Sequence, residues 1–370
     1  MDISVLSLAD WLGLFDKDTV SKSFFLNNYK VKSGKKLVPL KTYMLHNNID
    51  SSNLETLYHF FVVNKHPYLV NFYNKSLKIY PCYFEKLEQT FNNNKNPKFK
   101  NLVRNIYYKD ILLLTQTEIA NSRPYLEVLF DLFNNNIIDY KLLTPSARAM
   151  FEKNQFGNIL SGFYFRSSIL NPSVIYSLSK VLNGSKVFTP TLGWSSYMLG
   201  FLSNSKVTEY VGTDVIPEVC NNTKSLANML FPKKKIDIYC SPSEKLSANK
   251  TFSKKYESNY FDTVFFSPPY FKLEIYRGAN QSTRLYSDYN DWLTLYWEAT
   301  IKLCRRIIKN NGKLCYIISN YANKQSMNDD MNAVTKKYFK LSKTISLGNS
   351  NVSFTKHRPT GEVIFIFKPL

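Results

Sequence analysis

The sequence predicts an α/β fold built on a seven-stranded, mostly parallel sheet with a C-terminal antiparallel hairpin. From about residue 170 onward, short apolar runs rich in β-branched residues alternate with longer segments of helical periodicity, which is the pattern of a parallel α/β sheet. The last two runs have no helical segment between them, and this indicates the hairpin. Hydrophobic residues make up 44% of the chain and aromatic residues 15%, so the chain can bury a sizeable core.

The order of the elements follows from these runs. The predicted strands are residues 186–189, 209–213, 236–240, 261–266, 313–318, 339–347 and 362–367. Asn171 is typical of a helix N-cap and Pro172 of a first helical position, so we expect a helix to residue 182 before the first strand. The longest helical candidate covers residues 291–309 and ends at Asn310-Asn311-Gly312.

Residues 1–145 are expected to form an N-terminal accessory domain of unassigned role, mainly helical or mixed, and residues 146–370 the domain that carries the sheet. Within residues 1–145, apolar spacing predicts helices over residues 54–64, 83–91 and 125–133. The segment 95–104 mixes cations with Phe99. We interpret it as a solvated loop in preference to a nucleic-acid patch.

The composition argues against several classes of protein. No apolar stretch is long enough to cross a bilayer, and the N-terminus lacks the positive segment and apolar core of a signal peptide. The five cysteines are scattered and there are four histidines, which indicates neither a disulfide framework nor a zinc site. We therefore expect an intracellular, cytoplasmic protein with no metal and no membrane partner.

The formal net charge of +20 predicts a polyanionic partner. The charge is uneven, with an excess of +4 in residues 1–140 and +16 in residues 141–370. A solvated surface explains any single run such as Lys233-Lys234-Lys235. An excess of this size in one half favours phosphate binding.

The tetrapeptide Ser267-Pro268-Pro269-Tyr270 directly follows the apolar run 261–266. It suits methylation of a nucleobase amino group, because the Ser267 hydroxyl and the Pro268 carbonyl can accept hydrogen bonds from both N–H groups of the amine. Pro269 has no competing N–H, and Tyr270 can stack on a base taken out of its helix. The alternatives are a plain strand end or an exposed polyproline ligand, and the apolar run before the motif favours the catalytic interpretation.

The segment after the first strand has the composition of a nucleoside-binding loop. Gly193 allows a close approach to the backbone, and Asp214 follows about 20 residues later, a spacing at which a carboxylate can bond ribose hydroxyls. A helix N-cap is the alternative role for Asp214. After the third strand, Glu244 and its neighbours can contact an adenine edge or form an ordinary turn.

Together these elements resemble the amino-methylating class of S-adenosylmethionine-dependent nucleic-acid methyltransferases, over residues 163–370. The downstream sequence is similar to a subgroup seen in phages and large DNA viruses, so a viral protein in the host cytoplasm or virion is compatible with it. The resemblance is carried by Phe165-Arg166-Ser167-Ser168, Asn171-Pro172, Pro190, Gly193-Trp194, Asp214, Phe261-Asp262 and Ser267-Pro268-Pro269-Tyr270, followed by Gln281-Ser282, Tyr286 and Trp292-Leu293. It implies a Rossmann-like methyltransferase sheet.

The resemblance also implies S-adenosylmethionine as the cofactor and a role for each site residue. The implied catalytic residues are Ser267, Pro268, Pro269 and Tyr270. The implied cofactor-binding residues are Phe165, Pro190, Gly193, Trp194, Asp214 and Glu244. Lys272, Arg277 and Arg284, beside the motif, are candidates for nucleic-acid phosphates. DNA is favoured over RNA as the partner, and a homo- or hetero-oligomer is compatible with the hypothesis.

Three positions depart from the pattern of the family, whose cofactor loop runs roughly D-P-F-x-G-x-G. Thr189 stands in place of the acid, Thr191 in place of the phenylalanine and Ser195 in place of the second glycine. Loss of the acid removes a partner for the cofactor's ammonium group, and the Ser195 side chain would crowd the cofactor. A catalytically inactive nucleic-acid-binding subunit and an RNA amino-methyltransferase are therefore alternative hypotheses. Ser267 in the first motif position slightly favours cytosine over adenine.

Overall fold

The structure is a computed structural model. It describes residues 7–15, 18–73, 87–95, 98–107, 116–117, 125–152, 169–271, 274–276, 278–319, 327–348 and 362–370. The chain divides into two compact units, of which the first comprises Met1–Ser76 and Tyr108–Ser167 and the second Leu77–Tyr107 and Ser168–Leu370. The division therefore differs from the expected single boundary at residue 145, because residues 77–107 belong to the second unit and residues 146–167 to the first.

The second unit contains the seven-stranded sheet. Its strands are β1 (Lys186–Thr189), β2 (Glu209–Asp214), β3 (Lys235–Cys240), β4 (Phe261–Phe266), β5 (Ile308–Ser319), β6 (Phe339–Ser346) and β7 (Glu362–Pro369). Their order across the sheet is β3-β2-β1-β4-β5-β7-β6. Strands β1 to β5 are parallel, and β7 runs antiparallel to both of its neighbours. The predicted fold class is confirmed, with β7 inserted between β5 and β6.

The inner strands β1, β2 and β4 are largely buried because helices cover both faces of a parallel sheet. In β4 every residue except Asp262 is buried, and in β2 every residue except the last, Asp214. The edge strand β6 is mostly exposed. Asp262 accepts hydrogen bonds from the backbone N–H groups of Ser185 and Lys186, at 3.0 and 2.9 Å, which align β1 with β4.

The helices of the second unit connect these strands. Their bounds are Lys98–Ile106, Pro172–Leu182, Ser196–Leu202, Pro217–Leu230, Lys250–Lys255, Ser282–Leu285, Tyr289–Asp291, Ala299–Ile307 and Met327–Lys336, with a 3-10 segment at Ser243–Ala248, a π-helical segment at Trp292–Glu298 and a short strand at Glu274–Ile275. Asn171 caps its helix as predicted, since its Oδ1 accepts the N–H of Ser173 at 3.0 Å. The long helix predicted over residues 291–309 is present from Tyr289 to Ile307, where β5 begins.

Two predictions for the segment before residue 107 are wrong. Residues 87–91 of the helix expected over 83–91 are not helical, and residues 83–86 lie outside the described residues. The segment expected to be a solvated loop forms the helix Lys98–Ile106, whose Phe99 and Val103 are buried together with Tyr107. These three residues recur every fourth position and form one apolar face, which explains why a helix is more stable there than a loop.

The first unit, taken by itself, is mixed. Its helical segments are Leu8–Gly13, Lys22–Asn28, Leu40–His46, Ser51–Tyr58, His59–Val63, Lys65–Tyr73, Tyr125–Asn134, Tyr140–Leu143 and Pro145–Glu152. Strand Lys30–Ser33 pairs antiparallel with Lys36–Pro39 and parallel with Ile137–Asp139. The helices predicted over 54–64 and 125–133 are present. None of the helices in the described ranges is long and apolar enough to cross a membrane.

Candidate functional site

One cleft of the second unit collects most of the predicted site residues. It lies at the carboxyl ends of β1 to β4, because parallel strands end at the same edge of a sheet and ligands of open α/β sheets bind there. The predicted residues that line it are Pro190, Gly193, Trp194, Asp214, Glu244, Ser267, Pro268, Pro269 and Tyr270. Arg284 is exposed and lies two residues beyond Ser282, which lines the cleft. Phe165, Lys272 and Arg277 lie outside the described residues.

The loop after β1 has an unusual backbone. Gly193, Trp194 and Ser195 all have positive φ, of 51°, 55° and 66°. A Cβ atom on Gly193 would lie 2.2 Å from the ring of Tyr197, so this position requires glycine both for its backbone and for space. Left-handed residues other than glycine cost free energy, and such strain is commonly found at ligand-binding sites.

Two of the three substituted loop residues, Thr189 and Ser195, do not line the cleft, whereas Thr191 lines it and its hydroxyl donates to the backbone carbonyl of Ser267 at 3.5 Å. The Ser195 hydroxyl hydrogen-bonds to the hydroxyl of Tyr107 and, at 2.6 Å, to that of Thr223. The Thr189 hydroxyl pairs with that of Tyr210 at 2.6 Å. Ser195 and Thr189 are fully buried, and neither is among the residues that line the cleft. The Ser195 side chain therefore does not crowd the cleft, contrary to the expectation from the sequence. The side chain at position 189 does not reach the cleft either.

Asp214 ties the end of β2 to this loop. Its Oδ2 accepts the N–H of Leu192 at 3.1 Å, and its Oδ1 accepts the N–H groups of Val215 and Ile216 at 2.8 and 3.2 Å. A carboxylate has about four lone-pair sites, so one site on Oδ2 remains for a ligand hydroxyl. Burial raises the pKa of the Asp214 carboxyl, and the three N–H donors act in the opposite direction.

Glu244 lies in the 3-10 segment that follows β3. It is half-buried, and its Oε1 accepts the hydroxyl of Tyr286 at 3.3 Å. Burial raises the pKa of Glu244 above its ordinary value of 4.5, against the smaller effect of the bond from Tyr286. Its carboxylate is in a position to accept a hydrogen bond from a ligand in the cleft.

Ser267 is held from two sides at the end of β4. Its hydroxyl donates to the backbone carbonyl of Ile317 on β5 at 3.2 Å, and its backbone N–H donates to the Tyr197 hydroxyl at 3.3 Å. A serine hydroxyl has one hydrogen and two acceptor lone pairs. Because that hydrogen is used on Ile317, the hydroxyl can only accept hydrogen bonds from a group in the cleft.

Two tyrosines border the cleft close to this motif. Tyr270 is only 7% exposed and belongs to the apolar cluster that contains Trp292 and Trp297, so most of its ring is covered by the protein. Tyr296, on the π-helical segment, is 3% exposed, and its buried hydroxyl has no hydrogen-bond partner among the residues that the structure describes. Burial raises the pKa of that hydroxyl well above its ordinary value. π-Helical turns are frequent at functional sites.

Among the residues that line the cleft, Asn93, Tyr197, Tyr296 and Glu362 were not predicted from the sequence. Asn93 belongs to an Asn-rich turn that was placed in the other domain. Tyr197 and Tyr296 are helical aromatics, which sequence patterns assign to a core. The only available signal was the position of Tyr197 four residues after Gly193, directly behind the cofactor loop.

No family model matches this chain, and no curated protein matches it. Among solved structures, it resembles TrmN from Thermus thermophilus at 12% identity and a TM-score of 0.38, over 54% of this chain and 49% of TrmN. An rRNA methylase from Streptococcus thermophilus gives 12% identity and a TM-score of 0.33, over 52% of this chain and 92% of the methylase. A TehB-like SAM-dependent methyltransferase from Corynebacterium glutamicum gives 12% identity and a TM-score of 0.32, over 61% of this chain and 100% of the methyltransferase. The chemistry of the cleft is therefore inferred from its own residues.

Proposed function

We propose that this protein transfers the methyl group of S-adenosylmethionine to the amino nitrogen of adenine or cytosine in a nucleic acid, with DNA favoured over RNA. The observation that carries the proposal is the hydrogen bonding of the Ser267 hydroxyl. Its hydroxyl donates to Ile317, so it offers lone pairs at the carboxyl end of β4. It lies in the same cleft as Gly193 and Asp214.

The residues of the cleft fit the cofactor. Gly193 lines the cleft, where the turn around it lets a nucleoside approach the backbone, and the open lone pair of Asp214 suits a ribose hydroxyl. Glu244 is suited to accept a hydrogen bond from the amino group of an adenine. When bound, the cofactor supplies an electrophilic methyl group.

The amino group of the nucleobase needs to be oriented more than it needs a catalytic proton acceptor. The Ser267 hydroxyl and the Pro268 carbonyl accept its two N–H groups, which favours a tetrahedral nitrogen with its lone pair available. Tyr270 holds the ring of the base with the exposed part of its own ring. The methylated amine is transiently cationic and then releases one proton to water, so the step does not require a histidine or a metal as acceptor.

The charge of the chain suits a nucleic-acid substrate. The excess of +16 in residues 141–370 attracts phosphates towards the part of the chain that carries the motif. We assign phosphate contacts beside the cleft to Arg284, and Lys272 and Arg277, which lie outside the described residues, stay candidates for the same role from their sequence positions.

The test is a calorimetric titration of the protein with S-adenosylmethionine, followed by transfer of a labelled methyl group to DNA and to RNA. We expect binding of the cofactor and label on DNA amino groups. Ser267→Ala should bind the cofactor with unchanged affinity and transfer at least about 100-fold more slowly, as expected for a lost transition-state contact. Binding without transfer to any nucleic acid would favour the inactive subunit, and label on RNA alone would favour the RNA enzyme.

A further inference from the structure

The cofactor loop presents no acid, and this leaves one end of the proposed ligand without a partner. S-adenosylmethionine ends in an α-amino acid, which carries a carboxylate and an ammonium group. Position 189, where related loops carry an acid, is a buried threonine bonded to Tyr210. Asn93 and Glu362, which line the cleft outside this loop, have the complementary chemistry.

Asn93 enters the cleft from the segment that precedes the helix Lys98–Ile106. Its backbone N–H donates to the carbonyl of Gly348 at 2.7 Å, and its side-chain Oδ1 accepts the N–H of Asn171 at 2.7 Å. The residue is 7% exposed. Because Oδ1 is bonded to Asn171, the orientation of the amide is determined, and Nδ2 is the end left to donate to a ligand. A carboxylate is the group that suits such a donor.

Glu362 enters from the first residue of β7, close to the same segment. Its backbone carbonyl accepts the N–H of Leu347 at 3.0 Å, next to the Gly348 that holds Asn93. It faces Ser319 of β5 in the strand register. Its half-buried carboxylate lines the cleft and can accept hydrogen bonds from an ammonium group.

The sheet order separates Glu362 from the other acids of the cleft. Asp214 and Glu244 follow β2 and β3, on one side of β1, whereas Glu362 lies on β7, beyond β4 and β5. Ser267, at the end of β4, lies between the two groups. The cleft therefore has one polar end suited to the nucleoside and a second polar end suited to a zwitterion.

We propose that Asn93 and Glu362 form the subsite for the zwitterionic α-amino-acid end of the cofactor, with Asn93 donating to the carboxylate and Glu362 accepting from the ammonium group. This inference rests on the proposed function. It makes Asn93, from the segment before the helix Lys98–Ile106, a part of the binding site, in place of the acid missing from the cofactor loop.

The test compares two ligands that differ only at this end. S-adenosylhomocysteine carries the amino acid, and 5′-methylthioadenosine has the same nucleoside and thioether but lacks it. Asn93→Asp keeps the Oδ1 that accepts from Asn171 and replaces the donor by an acceptor, so the fold is retained. Glu362→Gln removes the charge with little change of shape. Glu244→Gln is the matched control at the other end of the cleft.

We expect each subsite variant to lower the affinity for S-adenosylhomocysteine by about tenfold or more, equivalent to about 1.4 kcal/mol. The affinity for 5′-methylthioadenosine should stay unchanged. Glu244→Gln should lower the affinity for both ligands. Equal affinity of the unchanged protein for the two ligands would overturn the subsite and leave the proposed function standing. Failure of both ligands to bind would overturn the proposed function and the subsite with it. Unchanged S-adenosylhomocysteine affinity in both variants would overturn the subsite alone.

Discussion

The hydroxyl of Tyr197 accepts the backbone N–H of Ser267 at 3.3 Å, while the ring of the same tyrosine lies directly against Gly193. One side chain therefore joins the loop after β1 to the motif after β4. The ring also meets Phe265 edge-on, at 5.0 Å between centroids. Tyr197 thus couples the proposed cofactor loop to the proposed catalytic turn.

Tyr197→Phe tests this connection. The variant keeps the ring and removes the acceptor of the Ser267 N–H, so we expect a loss of about 1 kcal/mol in the free energy of unfolding. We also expect kcat for methyl transfer to fall more than the affinity for the cofactor. Tyr316→Phe is the control, since it removes a buried hydroxyl bonded to Asn332. Equal losses of kcat in the two variants would contradict a special role for Tyr197.

Gly193 and Gly34 form a matched pair, since both have positive φ, of 51° and 61°. A Cβ atom on Gly193 would lie 2.2 Å from the Tyr197 ring, whereas one on Gly34 would meet nothing within 4 Å. Gly34→Ala should therefore cost only about 1–2 kcal/mol for the left-handed backbone. Gly193→Ala should cost more and also weaken S-adenosylmethionine in calorimetry. Cofactor affinity that survives in Gly193→Ala would rule out the proposed approach of the nucleoside to this loop.

Tyr270 and Asp214 are expected to affect different steps. Tyr270→Ala should abolish methyl transfer and leave the cofactor affinity nearly unchanged, because base stacking is worth about 1–3 kcal/mol and orients the amine. Tyr270→Phe retains the ring and should retain transfer. Asp214→Ala should chiefly weaken cofactor binding, since it removes the ribose acceptor and the acceptor of the Leu192 N–H. The division of roles would be wrong if Tyr270→Ala and Asp214→Ala lost the cofactor equally.

The raised pKa of Glu244 predicts a pH dependence of stability. A carboxyl whose folded pKa lies above its unfolded value of 4.5 favours folding when it is protonated, and this contribution is lost as the pH rises through the folded pKa. The stability advantage of Glu244→Gln should therefore be small below pH 4.5 and grow as the pH rises through the raised pKa. Urea unfolding across this range measures it, with the exposed Glu257→Gln as the control. An advantage that shrinks with rising pH would contradict the burial effect.

Nucleic-acid binding should weaken steeply with salt. Each neutralised phosphate adds roughly one unit to the log–log slope on duplex DNA, so an excess of +16 makes a slope of several units plausible. Arg284→Gln should reduce the slope by about one unit, and Lys343→Gln, on the exposed edge strand β6, should leave it unchanged. Affinity for duplex and single strands across a salt series provides the measurement. A flat response would exclude phosphate binding as the role of this charge.

The strands and the motif positions could be predicted from the sequence because their signals are local. An apolar, β-branched run such as residues 261–266 indicates a buried strand wherever it occurs, and Asn171-Pro172 caps a helix through contacts within a few residues. Once the strands are parallel, their carboxyl ends must share one edge. That edge brings Gly193, Asp214 and Ser267 to one cleft.

Other features of the site depend on contacts between distant parts of the chain. The Asn-rich turn at residues 92–94 has the same local pattern in any loop, and only its hydrogen bonds to Gly348 and Asn171 bring Asn93 into the cleft. The direction of the Ser195 side chain likewise depends on Tyr107 and Thr223, which are distant in sequence.

The sequence by itself therefore determined the sheet, its order of elements and the residue types at the ends of β1, β2 and β4. Only the tertiary structure decided that residues 77–107 belong to the second unit and that Ser267 presents an acceptor rather than a donor. The physical reason is that a hydroxyl can use its single hydrogen in any direction. Ile317, on the neighbouring strand, is the partner that determines which direction is used.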